Sequence, residues 1–127
     1  MPTQKQQDQD YAEAVLLSFK TNKALVPMLW HLEVINVLRE AEKAEHLSHQ
    51  QTLNFIKELD HLPIEVPKDV VFQNSLHYML SLSRNFKLSS YDAAYLALAI
   101  SLSSPIATLD KALIKAAKSA EVAIYKP

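Results

Sequence analysis

Three acidic residues, Glu33, Asp92 and Asp110, occupy positions from which carboxylates could act together. Asp92 and Asp110 begin consecutive predicted helices, and a short apolar segment over 105–109 between those helices is predicted to be a buried parallel strand. In an open α/β fold, helices that follow neighbouring parallel strands begin at the same end of the sheet, which is the usual place for chemistry. We therefore expect Asp92 and Asp110 to lie close together.

Glu33 is the third candidate because it lies in the most apolar part of an earlier predicted helix. Burying an unpaired carboxylate costs several kcal/mol, so Glu33 should have a partner or line a cleft. Each of the three residues also has an ordinary structural interpretation. Aspartate at a helix start is a favoured cap worth about 1 kcal/mol, and Glu33 fits an exposed polar strip. The coincidence of three carboxylates favours a site.

The apolar pattern predicts alternating helices and strands over most of the chain. Residues 1–10 are polar, lack periodicity and are predicted to be a disordered lead-in, and residues 11–127 form a single domain. We predict helices over 11–20, 28–46, 48–59, 69–85, 90–102 and 110–120, and strands over 24–26, 63–66, 105–109 and 122–125. This alternation is typical of an α/β fold in which helices cover a mainly parallel sheet.

Composition excludes several classes of function. The 127 residues include no glycine and no cysteine, with 49% hydrophobic residues and a net charge of -1. Without glycine there is no Walker loop, dinucleotide fingerprint or G-x-S-x-G elbow, and without cysteine there is no disulfide or thiolate zinc site. No signal peptide and no apolar run of ~18 residues is present. We expect a cytoplasmic protein with no membrane association.

Three segments together resemble the PIN domain family, especially the VapC-like toxin ribonucleases of toxin-antitoxin pairs. They read LVPMLWHLEVINVL over 25–38, LSSYDAAYLALA over 88–99 and IATLDKAL over 106–113. The resemblance extends over residues 11–125 and implies a three-layer PIN-like fold and a metal-dependent endoribonuclease. It also implies that Glu33, Asp92 and Asp110 are the catalytic residues and ligands for Mg²⁺ or Mn²⁺. The implied partners are an RNA substrate and an antitoxin-like protein.

The chain departs from the family pattern at its beginning. Family members start with an apolar central strand that ends in a metal-binding aspartate, whereas residues 1–10 contain no such strand. We expect that the sequence lacks its true N-terminus or belongs to a degenerate member, and that the absence of one acidic ligand leaves the chain weakly active or inactive. The unfilled gap between 24–26 and 106–109 would leave unpaired strand edges, which predicts a homodimer or higher oligomer.

Two further interpretations belong to other functional classes. One is a non-catalytic PIN-like protein-binding module, which would use an apolar surface formed by Trp30, Leu32, Ile35 and Leu38. The other is a helical scaffold that carries no site. A nuclease requires the carboxylates of Glu33, Asp92 and Asp110 to lie close together. Their positions in the fold therefore discriminate a nuclease from a scaffold that carries no site.

Overall fold

A computed structural model describes residues 1–68 and 76–127 of the chain. In these residues there are six helices and two short strands, in the order α1 (Gln4–Ser18), β1 (Ala24–Leu25), α2 (Leu29–Lys43), α3 (His49–Asp60), β2 (Ile64–Glu65), α4 (Leu76–Phe86), α5 (Ser90–Leu102) and α6 (Lys111–Ser119). The first part of the helix predicted over 69–85 lies outside the described residues. None of the described helices combines the length and apolarity needed to cross a bilayer.

The prediction of a three-layer PIN-like α/β fold with a mainly parallel sheet is wrong. In the described residues, β1 pairs in parallel with β2, with Ala24 opposite Ile64, and a separate parallel bridge joins Ile106 to Ile124. Prolines explain why the predicted strands stay short, because they lack an N–H donor and flank the paired segments. They stand at 27, 63, 67 and 105. The architecture is consequently helical, with two small, separate strand pairings.

Helix α1 begins at Gln4, so most of the segment predicted as a disordered lead-in is helical. The Thr3 hydroxyl accepts a hydrogen bond from the Gln6 N–H at 3.1 Å and caps the helix. Glutamine side chains then donate to carboxylates one turn further on, as in the pairs Gln4–Asp8 and Gln6–Asp10. Such pairs stabilise a helix without an apolar stripe. The prediction relied on the spacing of apolar residues, which are absent from residues 4–10, so it missed this part of α1.

Helix α5 is the centre of the hydrophobic core. Its buried residues are mostly alanine and leucine, and Ala93 and Leu96 are fully inaccessible to solvent. The small alanine side chains let α4 and α6 pack closely against α5, and Leu82, Leu88, Ile106 and Leu113 join the same cluster. The prediction that α5 is a buried, almost entirely apolar helix is confirmed. The core therefore fixes the beginning of α5, where Asp92 lies.

Within residues 1–68 and 76–127, four helices are followed within two residues by a residue in the left-handed backbone conformation. None of these four residues is glycine. These residues are Glu45, Lys87, Ser103 and Glu121, with φ between 50° and 61°. They follow α2, α4, α5 and α6 respectively. Glycine normally takes this position because an L-residue there suffers a steric penalty. A chain that contains no glycine accepts that penalty at each of the four ends.

Candidate functional site

Asp92 lies in the first turn of α5, at a helix start that the sequence specifies. The Ser89 hydroxyl accepts a hydrogen bond from the Asp92 N–H at 3.1 Å, which makes Ser89 the N-cap. The Asp92 side chain is half-buried at this position. The cap fixes the backbone conformation at Asp92. The direction of the Asp92 carboxylate then depends on how α5 packs in the core.

Asp110 is itself the N-cap of α6. Its Oδ2 accepts a hydrogen bond from the Leu113 N–H at 2.8 Å, while the side chain as a whole remains exposed. A second local contact, from the Asp110 N–H to Thr108 Oγ1 at 3.1 Å, holds the preceding turn. The structural interpretation of Asp110 as a cap is therefore correct. Since only Oδ2 takes part in the cap, the role leaves the other carboxylate oxygen for a ligand.

Glu33 is exposed, as the interpretation of a polar strip expects, and the prediction that it is buried among apolar neighbours is wrong. It nevertheless has a hydrogen-bond partner. The Tyr95 hydroxyl donates to Glu33 Oε1, which ties α2 to α5 across 62 positions of sequence. Burial of the ring, the hydrogen bond to Glu33 and the nearby negative charges together raise the pKa of Tyr95 well above its ordinary value. Tyr95 therefore stays protonated and acts as a hydrogen-bond donor that holds Glu33 against α5.

The charges of Asp110 and Glu33 both act on Asp92. The pKa of Asp92 is raised above its usual range, first by burial, then by the charge of Asp110 and then by that of Glu33, while a hydrogen bond with Ser89 opposes the shift. Asp92 is therefore the carboxylate on which the electrostatic influence of the start of α6 and of α2 is combined.

A divalent cation is the ligand that this donor set suits best. Carboxylate oxygens are hard ligands, and Mg²⁺ is commonly held by one or two carboxylates, with water and substrate phosphate completing its octahedral shell. Among the residues that the structure describes, no group of three or more His, Asp or Glu side chains is arranged as a ready-made metal site. Asp92 and Asp110 are the two carboxylates at helix starts that an open site would use, and Tyr95 holds Glu33 against α5.

Tyr95 is the site residue that sequence reasoning missed. It lies three positions after Asp92, so both side chains project from the same face of α5. That spacing was a usable signal, because a tyrosine one turn from a candidate ligand can donate a hydrogen bond within the site. Its apolar neighbours in α5 instead made Tyr95 look like an ordinary core residue.

Comparisons with known proteins leave the chain without a family assignment. No family model matches it, and neither the curated proteins nor the solved structures contain a significant match. The information on function therefore lies in the positions of Glu33, Asp92, Tyr95 and Asp110 and in the chemistry of their side chains.

Proposed function

We propose that the chain is a metal-dependent endoribonuclease in which Asp92, Asp110 and Glu33 hold Mg²⁺ or Mn²⁺. The observation that carries the proposal is the hydrogen bond from the Tyr95 hydroxyl to Glu33, made one turn after Asp92 in α5. The charges of Asp110 and Glu33 also raise the pKa of Asp92, which supports a site that uses these carboxylates. Two carboxylates ~4 Å apart repel by about 4 kcal/mol at an effective dielectric of 20. A structure that brings such charges together gains stability when a cation binds between them.

The chemistry of phosphodiester cleavage favours this donor set. A bound Mg²⁺ or Mn²⁺ can activate water and neutralise charge on the scissile phosphate. In this chain Asp92 and Asp110 would supply hard oxygen ligands from consecutive helix starts, and Tyr95 would hold Glu33 against α5 by its hydrogen bond. The resemblance of segments 25–38, 88–99 and 106–113 to VapC-like toxins supports RNA as the substrate and an antitoxin-like protein as the natural partner.

The test is cleavage of fluorescently labelled single-stranded and hairpin RNA with Mg²⁺ or Mn²⁺. The variants Asp92→Asn and Asp110→Asn should each lose roughly 100-fold in rate, because a metal contributes several kcal/mol of charge stabilisation to such a reaction. Asparagine is chosen because it is also a good N-cap, so Asp110→Asn keeps the start of α6 intact. Mn²⁺ binding, measured by calorimetry, should weaken in the same two variants.

Asp60→Asn is the matched control, because Asp60 is an exposed carboxylate at the end of α3. It should cleave RNA and bind Mn²⁺ as the wild type does. Cleavage that persists in both Asp92→Asn and Asp110→Asn, or that continues after EDTA treatment, would rule out the proposed site.

A second candidate function is a non-catalytic protein-binding module, favoured by the exposed apolar surface of α2. Leu32 and Ile35 are 63% and 54% exposed, and Met28 is also exposed. These three residues are four and three positions apart, so they lie on one face at the start of α2. The prediction that Leu38 belongs to this surface is wrong because Leu38 is buried. Contiguous exposed apolar residues usually mark an interaction surface. We call Met28, Leu32 and Ile35 the α2 apolar surface.

The double variant Leu32→Ser, Ile35→Ser tests the second candidate. It should abolish association through the α2 apolar surface, either with a second copy or with an antitoxin-like protein, as measured by light scattering. Its RNA cleavage should be unchanged if the α2 apolar surface serves only binding. Equal association of the wild type and the double variant would contradict a binding role for this surface.

A further inference from the structure

A deep cleft separates the two strand pairings. Its volume is about 780 Å³, and its two walls are β1 and the segment 104–107. Its floor is formed by α5 through Tyr95, Leu98, Ala99 and Leu102. Residues at the end of α1 also line the cleft, among them Phe19. The cleft therefore has an apolar floor between two backbone segments in extended pairing, a combination that an ordinary small-molecule pocket lacks.

The wall formed by β1 presents unused backbone groups to the cleft. The N–H groups of Ala24 and Val26 donate to β2, to the carbonyls of Pro63 and Glu65, at 2.9 Å each. In a parallel ladder alternate residues face opposite sides, so the N–H and C=O of Leu25 point away from β2. Leu25 lines the cleft, and its backbone groups therefore face that space.

The opposite wall has the same arrangement. The Ile106 N–H donates to the Ala123 carbonyl at 2.9 Å, and the Tyr125 N–H donates to the Ile106 carbonyl at 2.8 Å. Both backbone groups of Ile106 are therefore used on the side away from the cleft. By the same alternation the N–H and C=O of Ala107, which is exposed and lines the cleft, point into it.

We propose that the cleft binds an extended, apolar segment of another polypeptide, which pairs with Leu25 on one side and Ala107 on the other. An extended backbone is the conformation that presents N–H and C=O groups alternately to both sides, as in peptides that bind by strand addition. Every second side chain of the segment would rest on the apolar floor of α5. Valine, isoleucine or leucine at alternate positions suits that floor best.

A second copy of the chain is a poorer occupant than a different polypeptide. The extended segments within residues 1–68 and 76–127 already pair inside one copy, as β1 with β2 and as Ile106 with Ile124. A second copy could supply one of these described segments only by breaking its pairing. A partner with an unpaired apolar segment loses no existing strand pairing when it binds.

A designed peptide tests the proposal on the full-length chain. The probe is the fluorescein-labelled heptapeptide Lys-Val-Thr-Val-Thr-Val-Lys, which alternates apolar and polar residues, and binding is measured by fluorescence anisotropy. Its control carries N-methyl groups on the three valines, which removes the donors along one strand edge and keeps the apolar side chains. The N-methylated peptide should bind at least tenfold more weakly. Peptide binding should also slow amide hydrogen exchange at Leu25 and Ala107.

The variant Ala107→Pro removes one of the N–H groups that face the cleft. It should weaken peptide binding at least tenfold, and circular dichroism shows whether the variant is folded. If it does not fold, the comparison of the two peptides on the wild-type chain decides. Equal binding of both peptides, absence of binding, or unchanged exchange at Leu25 and Ala107 would overturn the proposal. So would a dimer whose dissociation is required for peptide binding, since the occupant would then be a second copy.

Discussion

The two ends of the chain differ sharply in how they bury their apolar residues. In residues 76–127 one continuous core joins α4, α5 and α6, and Ala93, Leu96 and Ala117 have no exposed surface. In residues 1–68 the buried hydrophobic residues are Val26 and Leu38, and neither α1 nor α3 buries a residue. Helices α1 and α3 of the N-terminal region are stabilised mainly by interactions between residues that are close in sequence. The helices of the C-terminal region are stabilised mainly by packing against one another.

This difference assigns different physical roles to the two regions. Large hydrophobic side chains that remain exposed are concentrated in the N-terminal region, including Leu16, Leu17, Leu32, Ile35, Val37, Leu53 and Phe55. Apolar surface of that extent is usually covered by a partner. The C-terminal region supplies the packed frame for Asp92 and Asp110, and the N-terminal region carries most of the exposed large apolar side chains of the described residues, on which the second candidate function rests.

The largest expected effect comes from truncating the core. Leu96→Ala should lower the free energy of unfolding by about 3 kcal/mol, because it removes a fully buried side chain and leaves a cavity. Leu32→Ala, at an exposed position in the N-terminal region, should change it by less than about 0.5 kcal/mol. Urea denaturation followed by circular dichroism measures both. Comparable losses in the two variants would contradict the contrast between the regions.

Removing a cap should produce a local effect in the N-terminal region. Ser48 and Gln51 form a capping box for α3, with hydrogen bonds of 3.1 and 2.8 Å in the two directions. Ser48→Ala should cost about 1 kcal/mol. Because α3 buries no residue, the loss should appear as faster amide exchange within α3 while α5 keeps its protection. Glu58→Ala in the same helix is the control, and a uniform loss of protection would show that α3 is coupled to the core.

Backbone strain should respond to glycine in a position-specific way. Ser103 has a φ of 50°, so Ser103→Gly should raise stability by about 0.5 kcal/mol or more through relief of the left-handed penalty. Ser101→Gly, within α5 two residues earlier, should lower stability by about 0.5 kcal/mol because glycine disfavours helix. Thermal unfolding measures both changes. A loss of stability in Ser103→Gly would mean that its side chain makes a contribution larger than the strain.

The smallest expected effect is the pH dependence that arises from Asp92. Because the pKa of Asp92 is raised in the folded state, protonation of Asp92 stabilises the folded protein. This contribution to the free energy of unfolding is fully present below the ordinary pKa of about 3.9. It is lost as the pH rises through the raised pKa. Asp92→Asn should therefore remove a decline in stability that begins near pH 4 in the wild type, worth less than about 1 kcal/mol.

Urea midpoints at pH 4, 5, 6 and 7 measure this dependence, and Asp60→Asn provides the control profile. Mn²⁺ should reduce the decline in the wild type, since a cation offsets the repulsion among Asp92, Asp110 and Glu33. A parallel decline in Asp92→Asn and the wild type would mean that Asp92 is not the residue responsible.

Local signals predicted the helices well and the sheet poorly. The predicted starts at Ser48 and Asp110 are the observed N-caps of α3 and α6, and of the two candidates Ser89 and Ser90 the first caps α5. A cap depends on residues within one turn, so it can be predicted locally. Strand pairing depends on contacts between distant segments, which one sequence does not reveal. The segments around 24–26, 63–66, 106 and 124 do take part in pairing, but they do not join into one sheet.

The candidate site shows the same division between local and distant information. The caps place Asp92 and Asp110 at helix starts, and this could be predicted from the residues on either side of them. The contact between Glu33 and Tyr95 joins residues 62 positions apart and depends on the way α2 docks on α5. It could not be predicted from spacing, and because Glu33 is exposed its surroundings did not require a partner.

Tyr95 belongs both to the lining of the cleft and to the acidic site, because its ring contributes to the cleft while its hydroxyl holds Glu33. A strand that binds in the cleft and displaces the ring would change the position of Glu33. By thermodynamic linkage, such a strand and a cation bound by Asp92, Asp110 and Glu33 would then alter each other's affinity by the same factor. If both proposals hold, Tyr95 would make binding at one site depend on occupancy of the other.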